Sequence, residues 1–321
     1  MNKERKLKIG SRAPLVKNLL LVEGPSRAGK FVLANVITGF RGVEPIQYYD
    51  LLEHLPFLEK MGFIEKKAAQ ELIRATIDTH SFEMLLGRGF NYRKDDLSSI
   101  FNHPSYKQYL KRAKQSDWDA AWKKFQKEKP YSLYVAHELM PNIEIYFEMF
   151  PDIKVISLQK SPVDLVNAWL EKHIAGRFGT DPRLMNILLN HKNGPTPWFV
   201  NGWQGEYNQL SETDRTIKAV LHIQDMYQKA YKKLRPAWKK KILVLRFEDV
   251  LFDTVKTVKK IGKFLKRDTL PGIKKIYKNL ILPRPAHLAF REEMIKKIKK
   301  TASSKYINLL IAAETRYCSK N

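Results

Sequence analysis

Gly24, Gly29 and Lys30 have the types and spacing of residues that bind a phosphate group. They lie in a loop that follows an apolar stretch at residues 18–23 and leads into a segment with a helical pattern. The backbone amides of such a loop point at an anion, and the start of the helix offers the positive end of its dipole. The spacing G-x-x-x-x-G-K also fits the nucleotide-binding P-loop. These residues therefore predict a phosphate site.

The residue after Lys30 is Phe31, and this departs from the P-loop pattern. Nucleotide-hydrolysing P-loops have Ser or Thr here, whose hydroxyl binds Mg²⁺. A phenyl ring cannot coordinate a metal, and we find no cluster of histidines or carboxylates elsewhere with metal-ligand spacing. The sequence thus predicts a phosphate site without a metal. This argues against an ordinary NTPase and favours a different phosphate-bearing donor.

Length and composition favour a folded enzyme-sized protein. The chain has 321 residues, of which 44% are hydrophobic, so a large core can form. Its single cysteine, Cys318, excludes internal disulfides and thiolate metal clusters and fits a reducing compartment. The longest apolar runs are too short to span a bilayer. We therefore expect a cytoplasmic protein with no membrane span.

The chain is strongly basic, with a formal net charge of +25 from 58 Lys plus Arg against 33 Asp plus Glu. Such a charge attracts anions, which include nucleic acid, acidic lipid, or an acidic sugar polymer together with a phosphorylated donor. Most lysine pairs lie on polar faces of helical segments without interleaved aromatic residues, which is typical of a solvated surface. Nucleic acid is therefore an alternative partner that the sequence does not favour.

Short apolar segments alternate with helical patterns, which predicts an α/β fold. The predicted strands are residues 18–23, 131–136, 154–158 and 242–247. Helical patterns occupy residues 31–38, 164–173, 214–234 and 254–265. This alternation predicts a parallel sheet flanked by helices. Ligands bind beyond the carboxyl ends of such strands, where the glycine loop falls.

Residues 44–127 interrupt the alternation. They are mostly helical in pattern, at 49–60, 66–79 and 106–126, around a polar segment at 87–99. We interpret them as a helical insertion within a single domain that spans residues 1–321. A second irregular stretch, 176–205, contains Gly, Pro and Trp and is predicted to form a loop-like lid.

Four segments, in this order, resemble the sulfotransferases that use 3′-phosphoadenosine 5′-phosphosulfate: residues 24–30, 136–141, 155–169 and 242–265. In that family the first loop reads roughly P-[KR]-S-G-T and binds the 5′-phosphosulfate. A strand-to-helix segment, R-[DN]-P-x-D-x-x-x-S, binds the 3′-phosphate. The resemblance covers about residues 18–40 and 131–265. It implies a P-loop NTPase-like sulfotransferase fold, and sulfuryl transfer to a hydroxyl of a carbohydrate or other small acceptor, which could be acidic.

The resemblance also implies which residues contact the donor. Arg27 stands at the family's loop Lys or Arg and would stabilise the charge left on the donor phosphate. Lys160 stands at the family's 3′-phosphate Arg. The family's helix Ser falls on Ala168, which has no hydroxyl, and Asn167 could replace it only with some helix rotation. The implied donor-binding residues are Pro25, Ser26, Arg27, Ala28, Gly29, Lys30, Phe31, Lys160, Asn167 and Ala168.

His137 is the predicted catalytic base, together with Arg27 as the charge-stabilising residue. Cytosolic family members carry their base in a Lys-Thr-His-Leu-Pro stretch after a strand, and a neutral imidazole accepts a proton near pH 7. Glu138 and Glu23 are alternatives, because carbohydrate-directed members often use a carboxylate; a structural role for His137 is also open. Side chains alternate along a strand, which predicts that only one of His137 and Glu138 faces the site.

Several alternatives stay open at this point. Arg88, Asn91 and Arg93 are predicted to bind the acceptor, with a solvated loop as the other interpretation. A P-loop kinase-type phosphotransferase would need a hydroxyl after Lys30 and a Walker-B-type Asp, and neither is evident. A non-catalytic binder of anions or nucleic acid that kept the fold is favoured by Ala28, Lys30 and Ala168.

Overall fold

A computed structural model describes residues 7–280 and 287–319 of the chain. Its centre is a five-stranded parallel sheet with the strand order β2-β3-β1-β4-β7. A separate antiparallel pair is formed by β5 and β6. The strands are β1 (Leu19–Gly24), β2 (Gln47–Tyr48), β3 (Ser132–His137), β4 (Lys154–Gln159), β5 (Leu188–Leu189), β6 (Thr196–Pro197) and β7 (Ile242–Arg246).

The predicted fold class is confirmed, since the sheet is parallel and helices flank it. Each of the four predicted strands is present, with its ends within one residue of the prediction. All six residues of the central strand β1 are buried, as expected where helices cover both faces of a parallel sheet. The edge strand β2 was not predicted, because two residues are too few to give a periodic pattern.

Helices occupy most of the remaining described chain. In order they are α1 (Lys30–Ile37), α2 (Leu51–Lys60), α3 (Lys66–Leu85), α4 (Tyr106–Arg112), α5 (Trp118–Glu128), α6 (Glu144–Met149), α7 (Pro162–Leu170), α8 (Ile174–Arg177), α9 (Gln204–Tyr207), α10 (Glu212–Lys233), α11 (Pro236–Lys239), α12 (Phe247–Phe252), α13 (Thr254–Leu265), α14 (Ile273–Leu280), α15 (His287–Lys299) and α16 (Ser304–Cys318). Three 3₁₀ turns lie at Ile100–Asn102, Met140–Asn142 and Trp198–Val200.

Two groups of helices position the site. Helix α1 packs against β1 and β3, whereas α7, α10, α15 and α16 pack against one another. Helix α7 begins two residues before its predicted start, because Pro162 occupies its first turn and Ser161 caps it. The side chain of Trp169 in α7 is among the largest that are fully buried. No helix in the described ranges is long and apolar enough to cross a membrane.

The segment between α1 and β3 is mostly helical, as predicted for residues 44–127. The predicted helix 106–126 is divided into α4 and α5. The side chain of Asp117 accepts a hydrogen bond from the amide of Ala120 and so caps the start of the second helix. The stretch 176–205, predicted to be loop-like, contains some short elements. It contains the β5–β6 pair, a 3₁₀ turn and α9.

Candidate functional site

The loop of residues 24–30 joins β1 to α1 at the carboxyl end of the central strand. Both of its glycines are required by close packing. A Cβ on Gly24 would lie 2.5 Å from the carbonyl oxygen of Leu158, and one on Gly29 would lie 2.3 Å from the ring of Phe247. Gly29 also has a φ of 96°, in the left-handed region that favours glycine. The glycine spacing thus reflects how tightly β4 and α12 approach the loop.

Three contacts hold the loop in place and leave the start of α1 open. The amide of Ala28 donates to the carbonyl of Pro25 at 3.1 Å, and the indole Nε1 of Trp169 donates to the carbonyl of Ser26 at 3.1 Å. The amide of Ser26 donates to Oε1 of Glu138 at 2.5 Å. No side chain caps α1, so its first amides point outward without an intrahelical partner. This arrangement can accept an anion.

Lys30 places a buried positive charge beneath the loop. Its Nζ donates to the carbonyl of Gly24 at 2.8 Å and to that of Pro25 at 2.7 Å. Burial lowers the pKa of the Lys30 ammonium to about 8, although the nearby carboxylates of Glu138 and Glu53 act in the opposite direction. At neutral pH Lys30 is therefore a cation, folded back onto the loop carbonyls.

Arg27 occupies the exposed crest of the loop. Its φ of 69° lies in the left-handed region, which costs a residue with a Cβ about 1–3 kcal/mol. Its carbonyl accepts a hydrogen bond from Nζ of Lys160 at 3.4 Å. Within the described part of the chain its guanidinium forms no hydrogen bond or ion pair. It is therefore available to an incoming anion.

His137 ends β3 and is paired with Glu53 of the helical insertion. Oε1 of Glu53 lies 2.8 Å from Nδ1 of His137 and 2.5 Å from its amide nitrogen. The rings of Phe31 and Tyr48 pack beside the imidazole, with centroids 6.4 Å and 5.1 Å away. Burial lowers the pKa of His137 to about 3 and raises the pKa of Glu53 to about 8. At neutral pH the pair is uncharged and shares one proton between Nδ1 and the carboxyl group.

Glu138 also faces the loop, through its contact with the amide of Ser26. The expectation that only one of His137 and Glu138 faces the site applies if the strand continues through Glu138, and it does not. The strand ends at His137, and Glu138 has a φ of 45°, so the alternation of side chains does not continue through it. Burial raises the pKa of the Glu138 carboxyl. The structure thus brings both candidate bases to the same edge of the sheet.

Glu23 lies beneath the loop and is completely buried. Its Oε2 accepts the amide of Met140 at 3.2 Å, and its carboxyl also contacts the side chains of Ser157 and Tyr227. Burial raises the pKa of Glu23 to about 7. Because none of its surface is exposed, this position fits a structural role better than proton transfer from an acceptor.

The predicted 3′-phosphate residues are only partly brought together. Lys160 ends the strand region beside the loop, and its Nζ lies 5.2 Å from the ring centroid of Phe247. The side chain of Asn167 is buried and donates to Oε1 of Glu171 at 2.8 Å, within α7 itself. Ala168 is half-buried on the same helix. Of this group, only Lys160 contacts the loop.

Carboxylates from the C-terminal half cover the start of α7, which the sequence did not predict. The amide of Ser161 donates to Glu248 at 2.9 Å, and its hydroxyl donates to Glu314 at 2.7 Å. Arg291 joins this group, 3.1 Å from Glu314, 3.3 Å from Asp164 and 3.8 Å from Glu248. The protein therefore places its own negative charges where the helix dipole of α7 would attract an anion.

The three predicted acceptor residues form local contacts. Arg88 pairs with Glu83 and lies over the ring of Trp118. Asn91 donates to Asp96 and Ser98, and Arg93 pairs with Asp96. Within the described residues, none of the three contacts the loop of residues 24–30. The segment instead touches α1 through the carbonyl of Leu97, which accepts from Asn35.

Glu53, Glu314 and Arg291 are the site residues that sequence reasoning missed. Glu53 lies within a predicted helix of the insertion, and the other two lie beyond the segments that resemble a known family. None of them belongs to a local motif. Among the described residues, no group of three or more His, Cys, Asp or Glu side chains could hold a metal ion.

Comparisons with known proteins give weak similarities. No family model matches the chain, and no curated protein matches it. A solved structure of the sulfotransferase domain from the curacin biosynthetic pathway is 12% identical, with 94% of this chain and 98% of that chain covered and a TM-score of 0.46. The sulfotransferase domain of the Synechococcus PCC 7002 olefin synthase is 13% identical, with 97% of this chain and 98% of that domain covered and a TM-score of 0.45. A sulfotransferase from Mycobacterium tuberculosis H37Rv is 12% identical, with 82% of this chain and 71% of that protein covered and a TM-score of 0.37.

Proposed function

We propose that this protein is a sulfotransferase that moves a sulfuryl group from 3′-phosphoadenosine 5′-phosphosulfate to a hydroxyl of a carbohydrate or other small acceptor. The observation that carries the proposal is the environment of the loop. A phosphate cradle with Arg27 and Lys30 adjoins the half-buried His137, and Phe31 fills the position of a magnesium-binding hydroxyl. Sulfuryl transfer needs cations and amides at the donor phosphate, and it needs no metal.

The chain can supply each part of that reaction. The acceptor oxygen attacks the sulfur, the bond from sulfur to the bridging phosphate oxygen breaks, and 3′-phosphoadenosine 5′-phosphate leaves. Arg27, Lys30 and the first amides of α1 would stabilise the negative charge on the leaving phosphate. His137 would accept the proton of the hydroxyl once Glu53 is ionised. About a fifth of the His137 side chain is exposed (21%), which leaves it access to a ligand.

Lys160 is the residue we assign to the 3′-phosphate, since it contacts the loop beside Arg27. We further infer that residues 1–321 form one domain, in which the insertion supplies Glu53 and Tyr48 to the site. A cytoplasmic location fits the exposed free thiol of Cys318. Acceptor contacts by Arg88, Asn91 and Arg93 would require them to exchange their present local partners.

Two alternatives have specific support. Glu138 is a carboxylate at the end of the strand next to the loop, where a kinase-type phosphotransferase would hold magnesium, but Phe31 offers no hydroxyl beside it. A non-catalytic relative that binds an anion at the loop alone is favoured by Ala168 and by the carboxylates that cover Ser161, because both weaken a 3′-phosphate contact at α7. These two readings and sulfuryl transfer differ in their nucleotide and metal requirements.

The first experiment measures binding and transfer with the full chain. Calorimetry with 3′-phosphoadenosine 5′-phosphate, and with ATP plus Mg²⁺, identifies the nucleotide. Transfer from the labelled donor to 4-nitrophenol is then followed with and without EDTA. We expect binding of the bisphosphate nucleotide, and transfer that persists in EDTA. Binding of ATP only with Mg²⁺ would favour the kinase, and nucleotide binding without transfer to any hydroxyl would favour the binder.

Arg27→Ala tests the assignment of the loop. We expect a loss of roughly 10²-fold or more in transfer, because a group that stabilises charge in the transition state is removed. Circular dichroism should be unchanged, since Arg27 is exposed. Arg41→Ala, an exposed arginine beyond the opposite end of α1, is the matched control. Equal turnover in the two variants would refute the loop assignment.

A further inference from the structure

A cleft of about 540 Å³ lies between α13 and α14, apart from the phosphate loop. Its floor includes Phe40, which follows α1, and Gly262 of α13 packs closely there: a Cβ on Gly262 would lie 3.1 Å from the Phe40 ring. Helix α14 packs against α1 on the other side of the cleft. The described lining contains none of the residues assigned above to the donor or to the base. The cleft is therefore separate from the candidate phosphate site.

The charged side chains that line this cleft are mostly cations. Asp268 is the one carboxylate of the described lining. None of the lining lysines is paired with a carboxylate of the described chain, so their charges are left without a neutralising partner. Such a cluster attracts anions. The cations are Lys259, Lys263, Lys266, Arg267 and Lys274.

The exposed face of α13 continues this charge and adds apolar side chains. Val255, Lys259 and Lys263 are four residues apart, so they lie along one face of the helix. Val255 keeps 56% of its surface exposed, and Phe252, which ends α12, keeps 54%. Lysines beside exposed large apolar side chains are typical of helices that lie in the interface of a bilayer.

The two apolar side chains distinguish a membrane from a soluble anion. An acidic polymer or a free phosphate in water would neutralise the lysines and leave Phe252 and Val255 in contact with water. The surface of an acidic bilayer offers phosphates to the lysines and an apolar layer to the two side chains. Charge and exposed apolar surface therefore favour the same partner.

We propose that this surface binds a bilayer that contains acidic phospholipids. The surface, named the α13–α14 face, comprises Phe252, Val255, Lys259, Lys263 and Lys274. The lysines contact the headgroup phosphates, and the two apolar side chains enter the interface. This inference does not depend on the proposed sulfuryl transfer, because binding to a bilayer is measured without donor or acceptor.

The first test is sedimentation of the full chain with vesicles at 0.1 M NaCl. We expect vesicles of phosphatidylcholine with about 30% phosphatidylglycerol to bind the protein at least tenfold more tightly than phosphatidylcholine alone. Equal binding to both kinds of vesicle would overturn the proposal. The net charge of +25 also favours acidic vesicles, so variants of matched charge are needed to locate the contact.

Two triple variants each lower the net charge by six. One replaces lysines of the α13–α14 face by Glu, and the other replaces exposed lysines of α15, a helix that packs against α7 and α16 instead. Each lysine near an acidic surface contributes roughly a fivefold factor in affinity. We expect the first variant to weaken binding more than tenfold and the second to weaken it about threefold or less. Equal losses would refute the proposal, since net charge would then explain the binding. The replaced residues are Lys259, Lys263 and Lys274 in the first variant, and Lys296, Lys297 and Lys299 in the second.

Insertion of the apolar side chains is measured with a fluorophore that responds to its environment. Cys318→Ser removes the exposed native thiol, and Val255→Cys or Lys297→Cys then carries a nitrobenzoxadiazole label. Acidic vesicles should raise the emission severalfold at residue 255 and leave it unchanged at residue 297, because only the first enters the apolar layer. An unchanged signal at residue 255 while vesicles bind would overturn the proposal. Binding of polyphosphate through the same lysines would then identify a soluble polyanion as the partner.

Discussion

At the residue scale, the site is dense in ionisable groups that are buried or half-buried. Glu23, Lys30, Glu53, His137 and Glu138 lie around one loop. Burial favours the uncharged form of each, and Lys30, with its pKa lowered to about 8, still carries its charge at neutral pH. The protein thus keeps a positive charge beneath the loop and limits the number of negative ones beside it, which favours an anionic ligand.

The pairing of His137 with Glu53 predicts how activity depends on pH. Glu53, with its pKa raised to about 8, must lose its proton before it can accept Nδ1–H and leave Nε2 free as a base. Transfer should therefore rise with pH up to about 8 and fall above it, as Lys30 loses its charge over the same range. The measurement is kcat/KM from pH 6 to 9.5.

Glu53→Gln gives this prediction a control. The amide oxygen of Gln accepts Nδ1–H at every pH, so the rising limb should disappear while the falling limb remains. His137→Asn should lower transfer by roughly 10²-fold or more, as expected for loss of a general base. A rising limb that persists in Glu53→Gln would assign the base to another group, with Glu138 the nearest candidate at this edge.

Glu23 predicts an effect of pH on stability. Its pKa is raised from 4.5 to about 7 in the folded protein, so between these values the folded state binds more protons than the unfolded state. The free energy of unfolding should therefore fall as pH rises from 4.5 to 7, by about 3 kcal/mol for this group. Glu23→Gln should remove that part of the slope and stabilise the protein at pH 8. Urea unfolding at pH 5, 6, 7 and 8 measures it, and an unchanged slope would contradict the prediction.

At the element scale, local patterns in the sequence were sufficient to predict most strands of the sheet. Runs of β-branched residues predicted four strands, and the paired glycines predicted the loop after β1. The pattern could not predict contacts between distant segments. His137 and Glu53 are 84 residues apart, and Ser161 and Glu314 are 153 residues apart. Such pairs depend on how the helices pack, which no local pattern of residues specifies.

Helix α7 connects the phosphate loop to the rest of the fold. At its start, Ser161 donates hydrogen bonds to carboxylates of α12 and α16. Near its end, Trp169 donates a hydrogen bond to the loop carbonyl of Ser26. Arg291 of α15 links the carboxylates of three elements around the same turn. The position of the loop is therefore coupled to the packing of the C-terminal helices.

Trp169→Phe tests this coupling. The ring stays apolar and buried, but the hydrogen bond to Ser26 is lost, which costs about 1 kcal/mol. We expect the affinity for 3′-phosphoadenosine 5′-phosphate to fall about fivefold, because the loop is less well held. Trp198→Phe, another buried tryptophan that does not contact the loop, loses similar volume and should keep its affinity. Equal affinities in both variants would show that Trp169 contributes to core packing and not to nucleotide binding through the loop.

At the scale of the whole molecule, the net charge of +25 is spread far beyond the site. Lys259, Lys260 and Lys263 lie exposed on α13. The loop after this helix contacts the carboxyl-terminal end of α1, where the amide of Arg41 donates to Asp268. These lysines are therefore at the opposite end of α1 from the phosphate loop. They can attract an anion at a distance and cannot touch it once it is bound.

This placement predicts that the three lysines affect the rate at which the nucleotide associates and leave its rate of dissociation unchanged. Replacing Lys259, Lys260 and Lys263 by Glu lowers the net charge by six and should slow association of 3′-phosphoadenosine 5′-phosphate, most clearly below 0.1 M salt, where the Debye length exceeds about 10 Å. Dissociation should be unchanged, because no contact with the nucleotide is lost. Arg27→Ala should instead speed dissociation. Stopped-flow tryptophan fluorescence at 20 and 300 mM NaCl measures both rates. If the triple variant associated as fast as the wild type at 20 mM, the attraction would come from the loop cations alone, and the remaining lysines would serve only as solvated surface.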